Sequence, residues 1–216
     1  MDNNNSYFPL MIDLSNKKLI LFGAGKVARR KAQYLSAYGD VQVIASSFSK
    51  SFMQLDSSHF IELTTANLEQ LSESEITTFV KDAFLVIPAT NNAAFNRKVT
   101  SIAQENAILV NQVDAVGEVI IPSVINQGDL SIGISTQGKS PALSRYTRLK
   151  LEKIITEEYA EMARLQQEMR EYYKLQIADQ QERKNMLWEI LNNEAIWSAL
   201  EHSYDKAIAL AKKVIP

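Results

Sequence analysis

Apolar residues fall in short continuous runs through the first half of the chain and recur at three- and four-residue steps through its last third. Leu19–Phe22 is apolar throughout, Val41–Ala45 is short and rich in β-branched residues, Phe60–Leu63 alternates, and Phe84–Ile87 and Ala107–Val110 are again continuous. Runs of this length predict strands, and continuous ones predict strands covered on both faces, as a parallel sheet requires. Helical periods lie between them. Val27, Ala28, Ala32 and Leu35 share one face of a helix that Gly39 stops, residues 67–79 form a weaker helix, and residues 93–105 place Phe95, Val99 and Ile102 on one side. Right-handed crossovers then give a doubly wound sheet with strand order 3-2-1-4-5.

The middle of the chain reads differently. Val119–Ile125 and Leu130–Ser135 are β-branched runs separated by the turn signal Asn126-Gln127-Gly128-Asp129, which predicts a hairpin. A lone hairpin is marginal in water, so pairing with its copy in a second subunit is expected. Ser140-Pro141 reads as helix N-cap and first helical residue. Beyond Pro141 no Gly or Pro occurs before Pro216, and Leu, Glu, Gln, Lys, Ala and Met dominate, so this third is expected to be helical. Leu151, Ile154, Ile155, Tyr159, Met162, Leu165, Met169, Tyr172 and Tyr173 form an amphipathic stripe, read as core or subunit interface rather than a slot for a ring system. Trp188, Trp197, Leu200, Ile208 and Leu210 make further short helices that pack back on it or roof a cleft, and Glu157, Glu158 and Glu161 mark the solvated face.

Composition narrows the chemistry. The chain has 216 residues, 46% hydrophobic and 22% charged, which suits a folded globular protein. Lys and Arg total 23 against 25 Asp and Glu, a net charge of −2, so no global cationic field serves a nucleic acid or an anionic membrane. An anionic ligand must meet a local patch. The absence of cysteine removes disulfides, thiolate-bound metals and thiol nucleophiles, and two histidines, His59 and His202, make no metal cage, so no metal site is expected. The N-terminus carries no signal-peptide pattern, and no apolar run approaches the ~18 residues of a membrane span. The expected location is the cytoplasm.

Gly23-Ala24-Gly25-Lys26-Val27-Ala28 is a GxGxxA motif directly after a strand and opening a helix. Gly23 permits the tight turn, Gly25 lets the backbone approach a pyrophosphate, and Ala28 keeps helix and sheet close. Lys26 and Val27 stand at the helix N-terminus, whose free N–H groups and dipole suit the phosphates. A merely structural strand-to-helix turn is the alternative. At the end of the second strand, where an acid usually holds the adenosine ribose, stand Ser46 and Ser47, with Lys50 nearby. They serve either as ribose hydrogen-bonding groups or as caps of the next helix, and the residues alone leave NAD and NADP both open. Strand four ends in Pro88-Ala89-Thr90-Asn91-Asn92: one asparagine is expected to cap the next helix while Ala89, Thr90 and Asn91 line the nicotinamide side of the crevice. Strand five runs into Asn111-Gln112-Val113-Asp114, with Asn111 grouped among the cofactor contacts. Asp114 is the carboxylate placed where open α/β sheets handle substrate, although surface turns also use aspartate. In the loop after the hairpin, Thr136, Gly138, Lys139 and Ser140, with Arg145 and Arg148 on the following helix, can hold carboxylates; for Arg148 a surface ion pair is an equal alternative.

With these residues in place the chain resembles the precorrin-2 dehydrogenase family of sirohaem biosynthesis, also found as the front part of sirohaem synthase. The resemblance rests on Tyr7-Phe8-Pro9-Leu10, GAGKVARRKAQYL, PATNN, VNQVD, Ile121-Pro122-Ser123-Val124-Ile125 and Ser135-Thr136-Gln137-Gly138-Lys139-Ser140-Pro141, about two-thirds of the chain in order. It implies a Rossmann-like NAD-binding domain at 1–112, a dimerisation β segment at 113–141 and a C-terminal helical domain at 142–216, working as a homodimer. It implies NAD-dependent oxidation of precorrin-2, a polycarboxylate tetrapyrrole, to sirohydrochlorin. Asp114 aligns with the family's functional aspartate, Lys26, Val27, Ser46 and Ser47 with cofactor contacts, and NAD is favoured over NADP. Some relatives also insert ferrous iron into the product, an alternative that leaves the chain bifunctional. Thr136 stands where some relatives carry a regulatory serine, which puts that control in doubt. The methyltransferase half of the fused enzymes is absent, so precorrin-2 itself is not expected to be made here. A non-catalytic NAD-sensing module would share the glycine loop but would carry an acid at Ser46 or Ser47 and would not need the IPS and GKSP segments; a helical adaptor would explain the tail and not the front.

Overall fold

The computed structural model describes residues 7–55, 61–113 and 115–214. The chain forms two compact units, Met1–Ile121 and Pro122–Pro216. In the first, β1 (Lys18–Phe22), α1 (Lys26–Leu35), β2 (Asp40–Ala45), α2 (Lys50–Met53), β3 (Ile61–Thr65), α3 (Glu73–Val80), β4 (Leu85–Pro88), α4 (Ala93–Glu105) and β5 (Leu109–Val110) follow in order. All strand pairs are parallel and the sheet order is β3-β2-β1-β4-β5. This is the expected doubly wound arrangement. Alternation along β1 divides the core: Ile20 and Phe22 face α3 and α4 with Ile76, Val80, Phe95 and Val99, whereas Leu19 and Leu21 face α1 with Ala28, Ala32 and Leu35. Both faces are dry along β1 and β4, which is why those strands read as continuous apolar runs, whereas the edge strand β3 is largely exposed and alternates.

Local chemistry moves several boundaries. The weak helix at 67–79 is a 3₁₀ turn at Leu68–Gln70 followed by α3, because Ser72 and Glu75 form a reciprocal capping box that starts a new helix. The strand expected over Phe60–Leu63 is β3, which runs Ile61–Thr65; Phe60 lies outside the described residues, as does His59. Ala107 is not in β5: with φ of 56° it ends α4 in the left-handed conformation. Val27, expected on the buried face of α1, is exposed, since Ala28, Ala32 and Leu35 already fill the face against the sheet.

The second unit opens with an antiparallel pair, β6 (Ser123–Gln127) and β7 (Leu130–Ile134), joined by a two-residue turn with Gly128 at φ 55°. The predicted first strand is therefore shortened at its start. Pro122 offers no N–H to a ladder, and Val119 and Ile121 pack instead on the α1 face of the first unit. Helices α5 (Pro141–Leu151), α6 (Glu157–Gln176), α7 (Gln180–Leu191), α8 (Glu194–Leu200) and α9 (Tyr204–Ala211) follow. The expected stripe becomes their core: Met162, Leu165, Met169 and Tyr173 of α6 pack with Met186, Ile190, Ile196, Leu200 and Ala207. Trp197 donates from Nε1 to the Leu191 carbonyl at 2.8 Å, and the Tyr173 hydroxyl donates to the Ala211 carbonyl at 3.1 Å. Trp188 stays exposed. Among the described residues no helix is long and apolar enough to cross a membrane.

Candidate functional site

The turn between β1 and α1 shows why its two glycines are there. Gly23 sits at φ 109°, and a Cβ on it would lie 2.7 Å from the Ala89 carbonyl oxygen and 3.1 Å from the Thr90 nitrogen. It lets the turn press against the end of β4. Gly25 is the N-cap of α1 with an ordinary extended conformation, no side chain caps that helix, and a Cβ there would meet nothing within 4 Å. Its smallness leaves a space beside the uncapped N-terminus of a ten-residue helix. No acid lies in the first turn, and Lys26, Arg29, Arg30 and Lys31 crowd the first two turns. Cations at this end oppose the helix dipole, so the arrangement favours an anion in the space Gly25 leaves open. The local basic patch that a net charge of −2 demands is here.

At the carboxyl end of β2, Ser46 and Ser47 are exposed. Neither caps the following helix: that role falls to Ser49, whose hydroxyl accepts the Phe52 N–H. The Ser46 hydroxyl accepts the Leu68 N–H at 3.2 Å, which leaves its own proton available to a diol. At the end of β4, Asn92 is the cap, accepting the N–H groups of Ala94 and Phe95, and Asn91 is exposed. Thr90 is held from both sides by a residue the sequence did not single out. The buried Asn96 carboxamide accepts the Thr90 hydroxyl at 2.6 Å and its N–H at 3.2 Å, and donates to its carbonyl at 3.0 Å. An amide one turn into α4, pointing back at the strand end, was the available signal.

Beyond β5, Asn111 is buried and its amide is engaged: Nδ2 donates to the Val119 carbonyl at 2.7 Å and Oδ1 accepts from Lys31 Nζ at 2.6 Å. Lys31 was also not foreseen. Burial, with the nearby charge of Arg30, pushes its pKa down to about 8. Asp114 lies outside the described residues. Its chain neighbours Val113 and Ala115 line a cavity of about 330 Å³ together with Pro88, Asn96, Arg97, Thr100, Gln104 and Gln112, a set with one cation and several amides and hydroxyls.

In the second unit the predicted carboxylate-binding loop divides in two. Thr136 and Ser140 work internally: the Thr136 hydroxyl accepts the Ser140 N–H at 2.9 Å and lies 3.2 Å from the Ser144 hydroxyl, and the Ser140 hydroxyl caps α5 through the Leu143 N–H, with Pro141 as first helical residue. Gly138, at φ 79°, completes the turn. Lys139 and Arg145 are exposed and make no ion pair among the described residues, whereas Arg148 pairs with Glu152 one turn along α5. Of its two readings, the ion pair is the one seen.

A doubly wound sheet with a glycine turn, an open helix N-terminus and a basic first turn defines a dinucleotide-binding protein. The NAD(P)-binding family matches residues 10–123, and the family described as sirohaem biosynthesis protein central matches residues 127–154. The precorrin-2 dehydrogenase of Methanosarcina barkeri is 47% identical over 215 residues, covering 100% of this chain and 96% of that protein. The siroheme synthase of Vesicomyosocius okutanii is 34% identical over 187 residues, 85% of this chain, and the chain spans only 38% of that longer protein. Among solved structures, SirC, precorrin-2 dehydrogenase, superposes with a TM-score of 0.73 over 96% of this chain and 100% of that one, at 21% identity, a likeness of fold. The chain belongs to the precorrin-2 dehydrogenase family.

Proposed function

We propose that this protein oxidises precorrin-2 to sirohydrochlorin with NAD as hydride acceptor, in sirohaem biosynthesis. The observation that carries the reading is the near full-length match, on both sides, to a precorrin-2 dehydrogenase; the open, cationic N-terminus of α1 supports it physically. The bound nicotinamide supplies the acceptor carbon for a hydride. The rest is done by the chain. Backbone N–H groups of Gly25, Lys26, Val27 and Ala28 receive the diphosphate, with Gly23 setting the turn. Ser46 and Ser47 hydrogen-bond the adenosine ribose without charge, and the family resemblance favours NAD over NADP there. Ala89, Thr90 and Asn91 line the nicotinamide side, with Asn96 holding Thr90 in place. For each double bond formed, one hydride leaves the macrocycle for the nicotinamide and one proton leaves for a base; we assign that base to Asp114. Asn111, grouped by the sequence with the cofactor contacts, spends its amide on Lys31 and Val119 and is given a supporting role.

Gly138, Lys139 and Arg145, with Thr136 and Ser140 shaping their loop, are proposed to meet the carboxylates of the tetrapyrrole. The functional division proposed is the one expected from sequence, 1–112, 113–141 and 142–216, as a homodimer. In support of the homodimer, Leu143, Tyr146 and Leu149 are exposed at three-residue steps on α5, next to a hairpin of only two strands. The decisive experiment supplies precorrin-2 and NAD anaerobically and follows absorbance at the NADH band. NADH formed in step with sirohydrochlorin is the expected result, and NAD binding without turnover would refute the enzyme in favour of a sensing module.

A further inference from the structure

The adenosine end of the candidate cofactor crevice is built from hydrogen-bond donors. In a doubly wound sheet an acid just past the second strand accepts the O–H groups of a ribose diol, whereas an arginine nearby accommodates a 2′-phosphate. This chain places Ser46 and Ser47 there, both exposed, and its sequence carries no acid from Ala45 to Leu55. The Ser46 hydroxyl accepts the Leu68 N–H at 3.2 Å, which leaves its own proton to donate.

A cation is brought to the same segment. Arg29 sits one turn into α1, where its backbone N–H donates to the Gly25 carbonyl at 2.9 Å, so its side chain starts beside the candidate diphosphate turn. From there it reaches the stretch of chain that leaves β2, and Nε donates to the Ser51 carbonyl at 2.8 Å. That bond uses one of the five guanidinium donors and seats the fork between the glycine turn and residues 46–51. Lys50, exposed, follows the Ser49 cap as the first residue of α2. A ribose diol can be served by such groups, because each of its hydroxyls also accepts. An ionised phosphate, which only accepts, is served by every one of them, and its bonds to the cations are the stronger kind.

We propose that this end of the site accepts a 2′-phosphate, so that NADP serves as hydride acceptor beside NAD: the Arg29 guanidinium and the Ser46 and Ser47 hydroxyls receive the phosphate, and Lys50 adds charge. This rests on the dehydrogenase reading above and extends it from one nicotinamide coenzyme to both, with the hydride step unchanged. The test measures NAD and NADP affinity by calorimetry on the full-length parent, Arg29→Leu, Arg29→Lys and Ser47→Asp, with thermal unfolding of each, and then NADH and NADPH formation from precorrin-2. The parent is expected to bind NADP within about tenfold of NAD. One charge-assisted hydrogen bond carries about 10- to 150-fold in affinity, so Arg29→Leu should lower the ratio of NADP to NAD affinity by that factor. Arg29→Lys, which keeps the charge and loses the fork, should recover part of the ratio, a rescue that a mere tie between α1 and α2 would not produce. Ser47→Asp, which sets a carboxylate against the phosphate, should lower the ratio by about tenfold or more. Parental NADP binding weaker than NAD binding by more than about tenfold, or an Arg29→Leu protein that weakens both coenzymes alike, would overturn the inference. If Arg29→Leu does not fold, Ser47→Asp carries the test, and an unchanged ratio refutes the phosphate site. A parent that binds both coenzymes yet forms neither NADH nor NADPH from precorrin-2 refutes the dehydrogenase reading instead.

Discussion

Gly23 and Gly25 stand two residues apart, yet their substitution should fail for opposite reasons. At Gly25 the backbone is ordinary for any residue, and a Cβ meets nothing within 4 Å, so Gly25→Val should leave the thermal midpoint within a degree or two of the parent. What it fills is the approach to the helix N-terminus. Displacing a diphosphate from one charge-assisted hydrogen bond costs about 1.5–3 kcal/mol, a loss of about 10- to 150-fold in affinity, and losing two such bonds abolishes measurable binding. At Gly23 the penalty falls on folding. A side chain at φ 109° costs about 1–2 kcal/mol, and forcing its Cβ to 2.7 Å from the Ala89 carbonyl adds about 1–3 kcal/mol as the turn shifts off β4. Gly23→Ala should thus lose about 2–5 kcal/mol, lowering the midpoint by about 10 °C or more in a unit of this size. Calorimetric titration with NAD and circular-dichroism melts, run on both variants, separate the two effects. Parental NAD affinity in a folded Gly25→Val protein would show that no diphosphate lies against this turn, and the dinucleotide reading of the loop would fail with it.

Other consequences follow from single groups. Asp114→Asn should keep NAD affinity and lose most of the dehydrogenation, and unchanged turnover removes Asp114 from the mechanism. Ser140→Ala removes the hydroxyl that caps α5 and should cost about 1 kcal/mol by urea unfolding, whereas a neutral result would show the cap contributes nothing. The Lys31 pKa falls from 10.5 to about 8 on folding, so between these values the unfolded chain holds more protons than the folded one. Stability should therefore rise as pH increases from about 8 toward 10, the penalty of the buried charge being fully present below 8. Unfolding free energies measured across that window should show the slope in the parent and lose it in Lys31→Met.

The parallel sheet, its order and the placing of the glycine turn were legible from residue pattern, because strands dry on both faces must be apolar throughout and a strand-turn-helix junction needs its glycines at set positions. Element edges were less legible. Whether 67–79 is one helix or two depended on a capping box that outweighs weak periodicity, and Val27 is exposed because Ala28, Ala32 and Leu35 occupy the face of α1 that meets the sheet. Among the site residues, the loop hydroxyls of Thr136 and Ser140 were recognised as polar and close in sequence, but nothing in the order of residues told that they would satisfy one another and leave Lys139 and Arg145 outward.

Asn96 and Lys31 mark the limit most clearly. Each lies on a helix and looks like an ordinary polar position, and the group it holds lies six residues away for Asn96 and 80 residues away for Lys31. Local spacing encodes which face of an element turns to the core, since that depends only on the 3.6-residue and two-residue periods of helix and strand. Which polar atom meets which across 80 residues of intervening chain, as Lys31 meets Asn111, is settled by packing, when burial leaves each donor one acceptor within reach.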